Sequence, residues 1–141
     1  MQAVVTEPID PGPLVERVRT RECGAVVTFL GTVRARSDDG RAVDALSYEA
    51  YPPMALAEME SIAQEIVERY HPCHVAMVHR VGKLAVGETS VAIAVGAPHR
   101  AQAFDACEYA IDELKKRVEV WKKEHYEDGD ERWLDGHCAH P

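Results

Sequence analysis

The sequence predicts an α+β fold: a mixed sheet with helices packed on it, forming one domain over residues 1–141. Three observations carry this. Apolar residues recur at helical spacing in two long stretches, and several shorter runs are apolar or alternate with period two. Proline- or glycine-marked connections keep all of these close together in the chain. At 141 residues the chain can bury a real core but not two comfortable ones.

Val4 and Val5 predict a short strand, ended by Pro8, Pro11 and Pro13. Pro13 suits the first turn of a small helix through Leu14, Val15 and Val18. Gly24 to Arg34 reads as a buried strand, an almost unbroken apolar run with a basic tip at Arg34 and Arg36. Ser37-Asp38-Asp39-Gly40 has turn chemistry. Val43 to Tyr51 predicts a second strand, with Leu46, Tyr48 and Ala50 on one face and Ala45, Ser47, Glu49 and Tyr51 on the other.

Pro52-Pro53 opens a helix to about Tyr70 whose stripe is Leu56, Met59, Ala63, Ile66 and Tyr70. Strands at 74–81 and 89–97 flank a loop expected over 82–87. In the later strand Val91, Ile93 and Val95 alternate with Ala92 and Ala94, so both faces are apolar and one is small enough for close helix packing. A further helix follows His99 and Arg100, with a stripe of Ala103, Cys107, Ala110 and Leu114 joined by Phe104, Ile111 and Val118. Residues 126–141 form a polar C-terminal tail anchored by Trp133-Leu134, with a final edge strand as its expected structure.

That last helix carries the candidate chemistry. His99 and Arg100 precede its N-terminus, where unpaired N–H groups and the macrodipole favour an anion. Lys115 lies beside its stripe, and Lys122 follows Trp121 where the helical pattern has lapsed. Each feature also has an ordinary reading: an exposed basic pair, a solvated face with Asp112–Lys115 and Asp112–Lys116 pairs worth roughly 0.2–0.5 kcal/mol each, and a plain exit strand.

The blocks GAVVTFLGTVR, YEAY, HRVGKLAVGE, APHRAQAF and LKKRVEVWKKE, in this order and spacing, resemble the catalytic (large) subunit family of molybdopterin synthase. The resemblance spans roughly Gly24 to Trp133. It implies an α/β hammerhead arrangement and a homodimer that joins small ubiquitin-like sulfur-carrier subunits in a heterotetramer. The implied reaction moves sulfur from the partner's C-terminal Gly-Gly thiocarboxylate to cyclic pyranopterin monophosphate (precursor Z), forming the dithiolene of molybdopterin. It makes Lys115 and Lys122 the expected catalytic residues, and Arg34, His99, Arg100, Lys123 and Glu124 the expected substrate-binding residues, with no cofactor. One departure stands out: the family's proline two residues before the tryptophan is Glu119 here, which removes a fixed φ and a sharp helix stop.

Other classes fare worse. A net charge of −8 argues against general nucleic-acid binding, while leaving room for a local cationic pocket. No apolar run approaches a membrane span, and MQAVVTEPID lacks a signal peptide's basic head and apolar centre, so a cytoplasmic protein is expected. Cys23, Cys73, Cys107 and Cys138 form no CxxC pair. The clusters His137/Cys138/His140 (with His125) and His71/Cys73/His74 match no standard zinc spacing, so no metal is expected. A cysteine hydrolase built from Cys107, His99 and Asp105 fails because Cys107 falls on the packed stripe. The rival to sulfur transfer is a non-catalytic module that binds an extended Gly-Gly tail, and it has no need of two lysines at distinct points.

Overall fold

The computed structural model describes residues 1–134. Its elements are β1 (Gln2–Val5), α1 (Gly12–Val18), β2 (Ala25–Thr32), β3 (Val43–Glu49), α2 (Pro52–Arg69), β4 (His74–Arg80), β5 (Gly82–Ala85), β6 (Thr89–Ala97), α3 (Arg100–Arg117), β7 (Trp121–Tyr126) and β8 (Glu131–Trp133). The α+β class holds, but the strands divide between two sheets. One is mixed, in the order β1-β4-β6-β2, with β1 parallel to β4 and the other neighbours antiparallel. The second is antiparallel, in the order β5-β3-β7-β8. The loop expected over 82–87 contributes β5, because Gly82 and Gly87 adopt φ of +103° and +89° and turn a short strand back against β3.

The two faces of β6 explain the layering. Val91, Ile93 and Val95 pack with Met77 and Val75 of β4 against Met59, Ile62 and Ile66 of α2 and Ala103, Ala106 and Ala110 of α3. Ala92 and Ala94, with Ala76 and Val78, form the opposite face and receive Leu14 and Val18 of α1. The small face therefore seats the short N-terminal helix. The approach is closest at Gly96, where a Cβ would lie 2.1 Å from the Val18 carbonyl oxygen.

Most of the predicted α3 stripe is buried, including Ala103, Cys107, Ala110, Leu114 and Val118. Ile111 is half-buried, and Phe104 is 60% exposed, bordering a groove with Val27 and Phe29 of β2. The helix stops at Arg117 without the family's proline. Val118 takes an extended conformation, and Val118 and Val120 are both buried while Glu119 points out, so two β-branched anchors set the exit path. Among the described residues no helix is long and apolar enough to cross a membrane.

Candidate active site

The last turn of α3, the end of β2 and the inner face of the second sheet meet around a cleft of about 420 Å³. Its walls include Arg34, Lys115, Lys122, Glu124, Tyr48 and Ser90. Strand alternation selects the β7 residues that take part. Lys122 and Glu124 pair in register with Tyr48 and Leu46 of β3 and share their face, whereas Lys123 pairs with Ser47 and faces the other way. Lys115 enters from the helix, at the end whose partial negative charge favours a cation.

Both lysines are half-buried, less open than a solvated helix face or exit strand would leave them. Among the described residues Lys115 makes no ion pair, and the expected Asp112 pairs do not form; Lys116 pairs instead with Glu113 at 3.5 Å. Burial lowers the Lys115 ammonium below the usual lysine range. Lys122 is lowered to about 8, first by burial and then by the Lys115 charge, against the pull of Glu124. Its Nζ lies 5.8 Å from the centre of the Tyr48 ring. An amine in this state can exchange a proton near neutral pH, which an exposed lysine cannot do.

Arg34 stands exposed at the rim, its guanidinium donating to Asp38 at 2.7 Å, and it holds the Asp38 carboxyl below its ordinary range. An incoming phosphate or carboxylate would exchange with Asp38 for that fork. Glu124 is 7% exposed and accepts from the Tyr126 hydroxyl at 2.6 Å, with Arg132 at 3.7 Å. Sequence reasoning missed Tyr48, Ser90 and Asp38 as walls of the cleft. Tyr48 stands in a recognised block, but only the pairing of β3 with β7 reveals its use.

Three expected binding residues do not enter the cleft. Lys123 pairs with Glu131 at 2.9 Å and lies over the Trp133 ring on the outer face. His99 and Arg100 are exposed at the start of α3. Arg100 and Lys115 belong to one continuous helix, so about 22 Å along its axis separates their backbone positions at 1.5 Å per residue.

The rival constellations resolve as follows. Cys73 and Cys107 are buried, and burial pushes the Cys107 thiol up to about 11, far from a reactive thiolate. His137, Cys138 and His140 lie outside the described residues. Within those residues no group of three His, Cys, Asp or Glu side chains could hold a metal ion. A Ser47–His125–Glu131 row does form, with contacts of 2.7 and 2.9 Å. It sits on the outer face, and Ser47 lies on a strand paired on both sides, to Lys83 and Lys123. The ladders engage its backbone, so no oxyanion donors accompany the hydroxyl.

The chain as a whole is similar to known proteins in sequence and fold. A family model described as MoaE protein matches residues 4–117. A Bacillus subtilis (strain 168) relative named molybdopterin synthase catalytic subunit is 44% identical over 131 residues, covering 93% of this chain and 82% of that protein. The crystal structure of molybdopterin synthase from Staphylococcus aureus superposes with a TM-score of 0.89 at 40% identity, covering 94% of this chain and 96% of that one. A complex of subunits 1 and 2 of molybdopterin-converting factor from Helicobacter pylori 26695 shares the fold, with a TM-score of 0.77 at 19% identity over 95% of this chain and 90% of that one.

Proposed function

The chain belongs to the MoaE protein family, and from that premise we propose that it is the catalytic subunit of a molybdopterin synthase, a sulfurtransferase. Sulfur arrives on the C-terminal Gly-Gly thiocarboxylate of a small ubiquitin-like partner, and the acceptor is precursor Z. Two transfers build the dithiolene, and each partner leaves as a carboxylate. The chain dimerises and carries one partner at each end as a heterotetramer, acting in the cytoplasm without a resident cofactor. The name of the Bacillus subtilis relative and the complex of two different chains from Helicobacter pylori support the reading.

The observation that carries it is the pair of half-buried lysines sharing one cleft with Arg34. A thiocarboxylate, a cyclic phosphate and the oxyanions formed between them are all negative. Cations fixed in a partly dry cleft stabilise them most where charge develops. Lys115 holds the thiocarboxylate end of the tail, and Lys122 exchanges protons at the pterin side chain. Arg34 takes the phosphate, and Glu124, buried beside Lys122, orients that side of the cleft. We assign Lys123 no role there. His99 and Arg100 lie too far along α3 to serve their own cleft and complete that of the dimer mate.

The test is an incubation with thiocarboxylated partner and precursor Z, assayed for dithiolene product. Lys115→Ala and Lys122→Ala should each lower turnover by roughly a hundredfold or more, with circular dichroism and partner docking near wild type. Wild-type turnover in both variants would overturn the assignment of the two lysines, and no product from the unaltered protein would favour the non-catalytic tail-binding module.

A further inference from the structure

Behind the lysines lies a buried imidazole that the reaction as described does not use. His79, on β4, is 6% exposed, and its ring meets that of Tyr48 edge-on with centroids 5.6 Å apart. Its Nδ1 lies 2.9 Å from the Arg80 carbonyl oxygen. A carbonyl only accepts, so Nδ1 carries the proton and Nε2 presents a lone pair. No hydrogen bond to Nε2 occurs among the described residues, yet no buried side-chain nitrogen or oxygen there is sealed away without a partner. Nε2 therefore opens onto accessible space.

The space that His79 borders is a second, much smaller cavity of about 20 Å³, walled also by Tyr48, Ser90, Leu114, Lys115 and Lys122. Tyr48, Ser90 and both lysines line the main cleft too, so the small cavity is its inner end. That volume suits one water, for which about 10–15 Å³ is enough when polar partners surround it.

We propose that His79 is a positioning residue for Lys115: its Nε2 accepts a hydrogen bond from a single water held in this inner cavity, and that water accepts in turn from the Lys115 ammonium. The chain of acceptors draws Nζ toward the back wall and favours its charged form, the form that grips a thiocarboxylate. The geometry demands an uncharged imidazole, since a protonated ring would offer N–H where an acceptor is needed. The surroundings keep it so: burial first, and also the charges of Lys115 and Lys122, lower His79 to about 4. The polar groups facing the inner cavity beside His79 are Tyr48 from β3, Ser90 from β6, Lys115 from α3 and Lys122 from β7. Arg34, Arg36, Asp38 and Glu124 line only the outer cleft. The neighbouring Arg80 is turned away in its pair with Glu88 at 2.9 Å.

This inference rests on the assignment of Lys115 to the thiocarboxylate, but its test is separable from it. The Lys115 side chain is titrated by NMR in the free protein carrying lysine labelled with ¹³C at Cε. His79→Gln keeps an acceptor near the Nε2 position, whereas His79→Leu has none. The expected result is a Lys115 midpoint unchanged in the glutamine variant and lowered by half a unit or more in the leucine variant, with single-turnover product formation falling at least tenfold only in the latter. If the leucine variant does not fold, His79→Asn, which still reaches the Arg80 carbonyl but not the cavity, should show the lowered midpoint. A folded leucine or asparagine variant with the wild-type midpoint would overturn the proposal and leave His79 a packing residue. A shifted midpoint in a protein that makes no dithiolene product would leave the proposal standing and overturn the sulfur-transfer reading instead.

Discussion

Lys122 is a cation held where burial disfavours it. Its depressed value of about 8 means that the folded chain binds fewer protons here than the unfolded chain between pH 8 and the ordinary lysine range. The unfolded state binds more protons in that window, so this site's contribution to stability rises with pH, and its penalty is fully present below pH 8. Lys122→Met should therefore raise stability at pH 7 by about 0.5–2 kcal/mol while removing activity. The gain should shrink as pH rises past 8, read from thermal unfolding at pH 7, 9 and 10. A gain that does not vary with pH would assign it to packing. Wild-type single-turnover rates should rise through an apparent midpoint near 8 if the amine form of Lys122 takes the proton, a midpoint belonging to the coupled lysine pair. None of this is legible locally. Lys115 sits beside an amphipathic stripe and Lys122 in an unremarkable strand, and only several blocks read together single them out. Their burial is made by β3, which lies far away in sequence.

At the scale of elements, periodicity identifies most of the fold and fails where non-local pairing decides. The alternation in β6 is plain from its residues, and its small face does accept a helix. The division into two sheets is not plain, because β2 and β3 adjoin in sequence yet pair with different partners. The strand β5 is hidden because four residues between two positive-φ glycines have too little pattern to register. Phe104 misleads by its type: a large apolar residue next to a helical stripe reads as core, and it is exposed. The docking of α1 yields the clearest test. Gly96→Ala would set a methyl 2.1 Å from the Val18 carbonyl oxygen, a backbone atom with little freedom to move. The helix must lift from the sheet, at a cost of about 1–3 kcal/mol. Hydrogen exchange should show lost protection over residues 12–18 first, with the Lys115–Lys122 cleft, on the other face of the sheet, keeping its protection. Uniform loss throughout the chain would show that α1 is not a separable unit.

For the whole molecule, the cations assigned to one substrate sit at two ends of α3, about 22 Å apart along its axis, so a single chain cannot bring them together. A two-fold dimer solves this if the start of α3 in one copy lies beside the cleft of the other. Light scattering should then give twice the 15.7 kDa chain mass, rising further when partner is added; a monomer at micromolar concentration would remove the explanation. Subunit exchange gives a sharper test. Mix Lys115→Ala dimers with Arg100→Ala dimers, each nearly inactive alone. In a mixed dimer, one cleft combines the defective lysine of its own chain with the defective arginine of its mate, and the other combines an intact lysine with an intact arginine. At full exchange half the dimers are mixed and half their clefts are whole, so roughly a quarter of wild-type activity should return. If Arg100 served its own chain's cleft, every cleft in the mixture would lack one group and nothing would return. With exchange verified by differently tagged chains, no recovery would mean that the two ends of α3 never serve one substrate across the dimer.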